Sequence, residues 1–221
     1  MLPKYHDARH AVRDTVIDLL KNLAETNRLA LDAMKAKDAK ALEDARLGLK
    51  EMASITEKID NDVVLIFAKF TPGARDLREL VSYLKVTSAL NRIRNNINSY
   101  LKNMQGVLDE NNSDINLLIE DSLRINKCTL DAFDYAIEML NTFDDEDKIK
   151  KLASKIAVEY SKTEDIYSLL EKDMVQKMND ADGNAQEYFN LLKYFRKNLK
   201  IIDRLDSIAH RIIFARIGGK L

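Results

Sequence analysis

Phe70-Thr71-Pro72-Gly73 constrains the fold more than any other four residues of the chain. Pro72 has no backbone N–H to donate, and its ring pushes Thr71 out of helical geometry. On both sides of this corner, apolar residues recur at spacings of three and four. Val63, Ile66, Phe67 and Phe70 lead into it. Leu77, Leu80 and Leu84, then Val86, Leu90, Ile93, Ile97, Tyr100 and Met104, lead away. Only an α-helix buries that spacing on one side. The centre of the first half is therefore two long helices meeting at a sharp corner.

The same stretch recurs near the C-terminus. Superposing Arg92 on Arg204 places Leu90 on Ile202, Ile93 on Leu205, Lys85 on Lys197, Leu80 on Leu192 and Tyr83 on Phe195. The corner returns as Asp182-Gly183-Asn184, a turn signal without proline. Val81 on Lys193 and Val86 on Asn198 do not match, so the repeat is diverged.

Six helices follow from the pattern. The first runs from about Asp7 to Ala36 on Val12, Val16, Leu19, Leu20, Leu23, Leu31 and Met34, and Lys37-Asp38-Ala39-Lys40 turns it. The second carries Leu42, Leu49, Met52, Ile55, Ile59, Val63 and Ile66 to the proline corner. The third continues to about Glu110, and Asn111-Asn112-Ser113-Asp114 ends it. Ser113 or Asp114 is positioned to cap the fourth, which runs through Leu118, Leu123, Phe133, Ile137 and Leu140. Asp144-Asp145-Glu146-Asp147 puts negative charge where the dipole of the fifth helix favours it. Leu152, Ile156, Tyr160, Tyr167, Leu170, Met174 and Met178 line that helix, and the sixth runs from Asn184 to Gly218-Gly219. Helices roughly 45–55 Å long need antiparallel neighbours to cover their apolar stripes. The expectation is an all-α chain of six long antiparallel helices, arranged as two repeated three-helix bundles at residues 1–111 and 112–221.

Composition narrows the function. Six Gly, two Pro and no Trp suit an all-helical chain, and 46% hydrophobic with 32% charged residues suits a globular one. A net charge of −1 argues against general nucleic-acid binding. Cys128 is the single cysteine, so no intrachain disulfide forms, and a small hydrophobe in a helix is its simplest role. No apolar run is long enough to span a membrane, and Asp7, Arg9, His10, Arg13 and Asp14 interrupt any signal-like region. A cytoplasmic location is expected.

Polar stripes flank the apolar seams. Ser88, Asn91, Asn95 and Asn98 line one in the third helix, and Lys200, Asp203, Ser207 and His210 its counterpart in the sixth. Glu57 and Asp60, and later Glu164 and Asp165, sit one helix earlier. A solvated face is the simplest reading of these stripes; hydrogen bonding of the carboxamides to a partner helix is the alternative.

The run Phe70-Thr71-Pro72-Gly73-Ala74-Arg75-Asp76-Leu77-Arg78, with Lys85 and Leu90-Asn91-Arg92-Ile93 after it, resembles the PhoU family of phosphate-transport regulators. Ile202-Asp203-Arg204-Leu205, Ala209 and Ile212 resemble the second copy of its signature, and Glu164-Asp165-Ile166-Tyr167 the segment one helix earlier. The resemblance implies a non-enzymatic regulator of phosphate uptake and phosphate-starvation signalling. Its implied partners are a second copy of itself and, at the membrane, a phosphate transporter subunit or sensor histidine kinase. It also implies a metal site for a divalent or ferric ion, with Asp60, Glu164 and Asp203 as the matching carboxylates. The motif is degenerate, because Asn91, Asn95 and Ser207 stand where the family carries carboxylates, and neutral oxygens are weaker ligands. No cofactor is expected on this ground. The alternatives are a helical adaptor unrelated to phosphate and a metal-binding helical bundle.

Two further patterns remain. His6 and His10 stand one turn apart but lack a nearby third ligand. The segment from Lys193 onward is basic, with Lys193, Arg196, Lys197, Lys200, Arg204, Arg211, Arg216 and Lys220 against Asp203 and Asp206, which would suit an acidic partner or a membrane surface.

Overall fold

The structure, a computed structural model, describes residues 2–108, 112–142, 144–180 and 185–219, with the side chains of Leu2 and Asp180 excepted. All of its regular structure is helical: α1 (Leu2–Ala36), α2 (Ala39–Leu47), α3 (Met52–Lys69), α4 (Ala74–Gln105), α5 (Ser113–Asn141), α6 (Glu146–Asp180) and α7 (Ala185–Ile217). The expected second helix is broken. A 3-10 turn at Gly48–Lys50 divides it into α2 and α3 while keeping Leu49 and Met52 buried. Gly48 is the weakest helix former in that stretch, which places the break there.

Local chemistry sets the other ends. The N–H of Asp38 bonds to the Ala33 carbonyl (2.9 Å) and that of Lys37 to Met34 (3.2 Å), a Schellman closure with Lys37 at φ 53. Asp38 then caps α2 by accepting from the Ala41 N–H. At the proline corner Phe70 is extended, with φ −133 and ψ 159, and its ring meets Tyr5 edge-on at 5.3 Å. Leu77, expected in the buried stripe, is 44% exposed, whereas Leu80 and Leu90 of the same stripe are fully buried. Asn112, rather than Ser113 or Asp114, caps α5, accepting from the N–H groups of Asp114 and Ile115. Asp145 caps α6 through the Lys148 N–H (2.9 Å). Gly218, at φ 92, stops α7 in a conformation that a side chain resists. The expected corner at Asp182-Gly183-Asn184 lies outside the described residues.

The first helix begins earlier than its apolar stripe indicates. Tyr5 is buried, and Arg9 pairs with Asp76 and, at 3.6 Å, with Glu79. Glu79 is itself buried and accepts a 2.8 Å hydrogen bond from the Tyr83 hydroxyl. A buried carboxylate needs such partners, and here they tie the N-terminal turns to α4.

In each half the third long helix packs on the two before it, and α4 against α7 is the most extensive contact between helices. α1 also packs on α5. One continuous apolar core runs through both halves, from Val12 and Leu20 through Leu90 and Ile97 to Phe133, Phe195 and Leu205. The helices of both halves thus share one core.

Candidate functional site

Three places on and between these helices carry polar chemistry. The first is the face between α3 and α4. Asp60, exposed on α3, accepts a 2.6 Å hydrogen bond from the Thr87 hydroxyl of α4. Asn91 follows one turn on and is exposed. The Asn95 side-chain oxygen accepts from Arg94 at 3.0 Å, and that of Asn98 from Arg46 at 3.3 Å. Arg46 is in turn held by Glu43 at 2.5 and 2.7 Å. Two of the three carboxamides therefore face arginines, which is the wrong sign for a cation site.

The second place is the face between α6 and α7, where the carboxylates gather. Tyr160 of α6 is pushed up to about 12, first by burial, then by its hydrogen bond to Glu164 and the charges of Glu164, Asp203 and Asp206. Burial also raises Asp206; Asp203 adds to the rise, and His210, with Nε2 3.5 Å from the Asp206 carboxylate, opposes it. Of the three expected metal ligands, Glu164 and Asp203 act on this one tyrosine, whereas Asp60 is engaged by Thr87 in the other half. Among the described residues no group of three or more His, Cys, Asp or Glu side chains is arranged to hold a metal ion. Asn91, Asn95 and Ser207 supply only neutral oxygens, so these residues do not fit the metal centre that the resemblance implies.

The predicted stripes also divide. Ser88 and Ser207 line a cavity between α4 and α7 and leave the carboxamide and carboxylate faces to their neighbours.

The third place was not anticipated. Asn126 of α5 donates to Asn27 of α1 at 3.0 Å and accepts from Asn198 of α7 at 2.8 Å. The Tyr100 hydroxyl of α4 lies 3.4 Å from the same Asn126 oxygen. All four residues are buried, and burial pushes the Tyr100 phenol well above its ordinary value. This network joins helices of both halves inside the shared core. The signal for it was present: Asn27 stands midway between Leu23 and Leu31, and Asn198 follows Phe195, each in phase with a buried stripe. A polar residue in that phase must find a partner inside. Among the described residues, no helix is long and apolar enough to cross a membrane.

Comparison with known proteins shows what the chain is similar to. Residues 16–104 match the PhoU domain family. A structure of PhoU from Pseudomonas aeruginosa superposes with a TM-score of 0.85 at 20% identity, covering 97% of this chain and 100% of that one. The phosphate transport system regulatory protein PhoU from Streptococcus pneumoniae gives 0.83 at 18% identity, covering 98% and 99%. A PhoU-like protein from Shewanella oneidensis MR-1 gives 0.69 at 14%, covering 94% and 97%. No curated protein sequence matches the chain.

Proposed function

We propose that this chain, which matches the PhoU domain family at residues 16–104 and shares its fold along its length with solved PhoU structures, is an accessory regulator of phosphate uptake and phosphate-starvation signalling. The observation that carries the reading is the end-to-end likeness to a protein whose name states that role, the phosphate transport system regulatory protein of Streptococcus pneumoniae. In this reading the protein catalyses no reaction. It works in the cytoplasm as a homodimer, by contact with a transporter subunit or a sensor histidine kinase at the membrane. Exposed apolar side chains such as Leu117 (61%) and Leu169 (68%) offer contact area for such partners. The lost carboxylates favour a regulator that works without bound metal.

Deletion of the gene tests this. Under phosphate-replete growth the deletion strain should show altered phosphate uptake and phosphate-regulon expression. A gene carrying both Asp60→Ala and Asp203→Ala should restore both. Unchanged uptake and expression would move the protein to the second class, a helical adaptor without a tie to phosphate. Failure of the double variant to complement would revive the metal site.

A further inference from the structure

We infer that the groove between α4 and α7 is a binding site for a multiply charged phosphate group, centred on Arg92 and Arg204. A cavity of about 250 Å³ lies there, lined by Lys85, Ser88 and Arg92 from α4 and by Arg204, Ser207 and Arg211 from α7. Four cations and two hydroxyls converge on it, and no carboxylate lines it. Lys85, Arg92 and Arg211 have no ion-pair partner among the described residues. Among the described residues, the one ion-pair contact of Arg204 is a long one, 3.7 Å, to its chain neighbour Asp203. Four cations held together in a chain of net charge −1 are a concentrated positive field rather than a general basic surface. Arginine guanidinium groups offer forked donors that match phosphate oxygens, and serine hydroxyls add further donors.

The internal repeat explains why the cations meet. Arg78 lies against Gly218, and Asn103 and Gly106 share a second cavity with Asn190 and Glu187, so α4 and α7 run antiparallel. Arg92 and Arg204 are equivalent positions of the two repeats and line the same cavity, so the pseudo-two-fold axis relating the halves passes between them. A residue type kept at both copies is therefore doubled at one point. The spacing of α7 carries the same face on through Lys200, Lys197 and Lys193, again without an acid. The cavity and its flanks suit a di- or triphosphate better than a single small anion. The same chemistry could be presented by a soluble ligand or by a lipid phosphomonoester. The site follows from the charges and the repeat alone and does not depend on the regulatory role.

Calorimetric titration of the full chain at low salt with tripolyphosphate, pyrophosphate and inorganic phosphate tests it. Affinity should rise with the charge of the anion, and Arg92→Gln with Arg204→Gln should lower tripolyphosphate affinity by about tenfold or more. Lys150→Ala with Lys172→Ala, exposed on α6, should change it less than about twofold. Circular dichroism and thermal midpoints check that both variants fold; should the arginine pair fail to, Lys85→Ala with Arg211→Ala replaces it. Vesicles carrying phosphatidic acid, compared with equally charged phosphatidylglycerol vesicles, separate the two sources. Arginine-dependent binding to the phosphatidic acid vesicles alone identifies the lipid, and to the soluble anions alone the free ligand. No binding of either kind, equal losses in the α6 variant, or equal binding to both vesicles would overturn the proposal.

Discussion

The α3–α4 face and the α6–α7 face occupy corresponding places in the two repeats, yet their chemistry differs. On the first, Asp60 is engaged by Thr87, and Asn95 and Asn98 receive arginine N–H groups. On the second, Glu164, Asp203 and Asp206 crowd one tyrosine, with His210 beside Asp206. The backbone repeat needs only apolar spacing to persist, whereas polar faces on the outside are free to diverge. Where the halves meet, the equivalent residues Arg92 and Arg204 line one cavity between α4 and α7.

The largest expected effect tests whether the halves are one cooperative unit. Asn126→Ala would leave Asn27, Asn198 and Tyr100 without their shared partner inside the core. The expected loss is about 3 kcal/mol in urea unfolding, since each orphaned buried group costs roughly 1–3 kcal/mol. A loss below about 1 kcal/mol, or separate transitions for the two halves, would break the picture of a single joined core.

A smaller effect sharpens the contrast between the two faces. Burial and the carboxylates beside it push the Tyr160 phenol up to about 12 in the folded chain, from the ordinary 10.0. A raised folded value means that its contribution to stability is complete below about 10 and is lost as pH climbs through about 12. Ultraviolet titration should place this phenol among the last to ionise before unfolding. Glu164→Gln should bring it only part of the way back toward 10, because burial is the larger cause. Tyr5, in the first half, is also pushed up to about 12, by burial and its hydrogen bond to Asp76, and should not respond to Glu164→Gln. A full return of Tyr160 would show that burial is not the larger cause, and no change at all that Glu164 does not act on it.

The smallest effect lies on the carboxamide face. Asn91 and Asn95 are exposed in the interior of α4, where asparagine costs roughly 0.5 kcal/mol relative to alanine. Replacing both by Ala should raise stability by a few tenths to about 1 kcal/mol, read from the thermal midpoint. Asn98→Ala should gain little, because its bond to Arg46 is lost as the propensity improves. A fall in midpoint for the Asn91 and Asn95 pair would mean that this face is covered, and the dimer would be the first place to look.

The sequence by itself determined the helices, their order and the repeat. Spacing at three and four residues is a local property of the chain, and Pro72 and Gly218 end helices through their own backbone chemistry. The break at Gly48–Lys50 was not legible, because Leu42, Leu49, Met52 and Ile55 stay in phase across it. Of the candidate site, the sequence supplied the residue types, including the neutral side chains of Asn91, Asn95 and Ser207. It did not supply their neighbours. That Asp60 meets Thr87, that Ser88 and Ser207 turn away into the α4–α7 groove, and that Asn126 gathers Asn27 and Asn198 were decided by the tertiary structure. The physical reason is range. Helix formation and termination depend on residues within a turn or two, whereas a hydrogen bond or cavity between helices depends on the rotation and register of each. Those are fixed only when the whole apolar core packs at once.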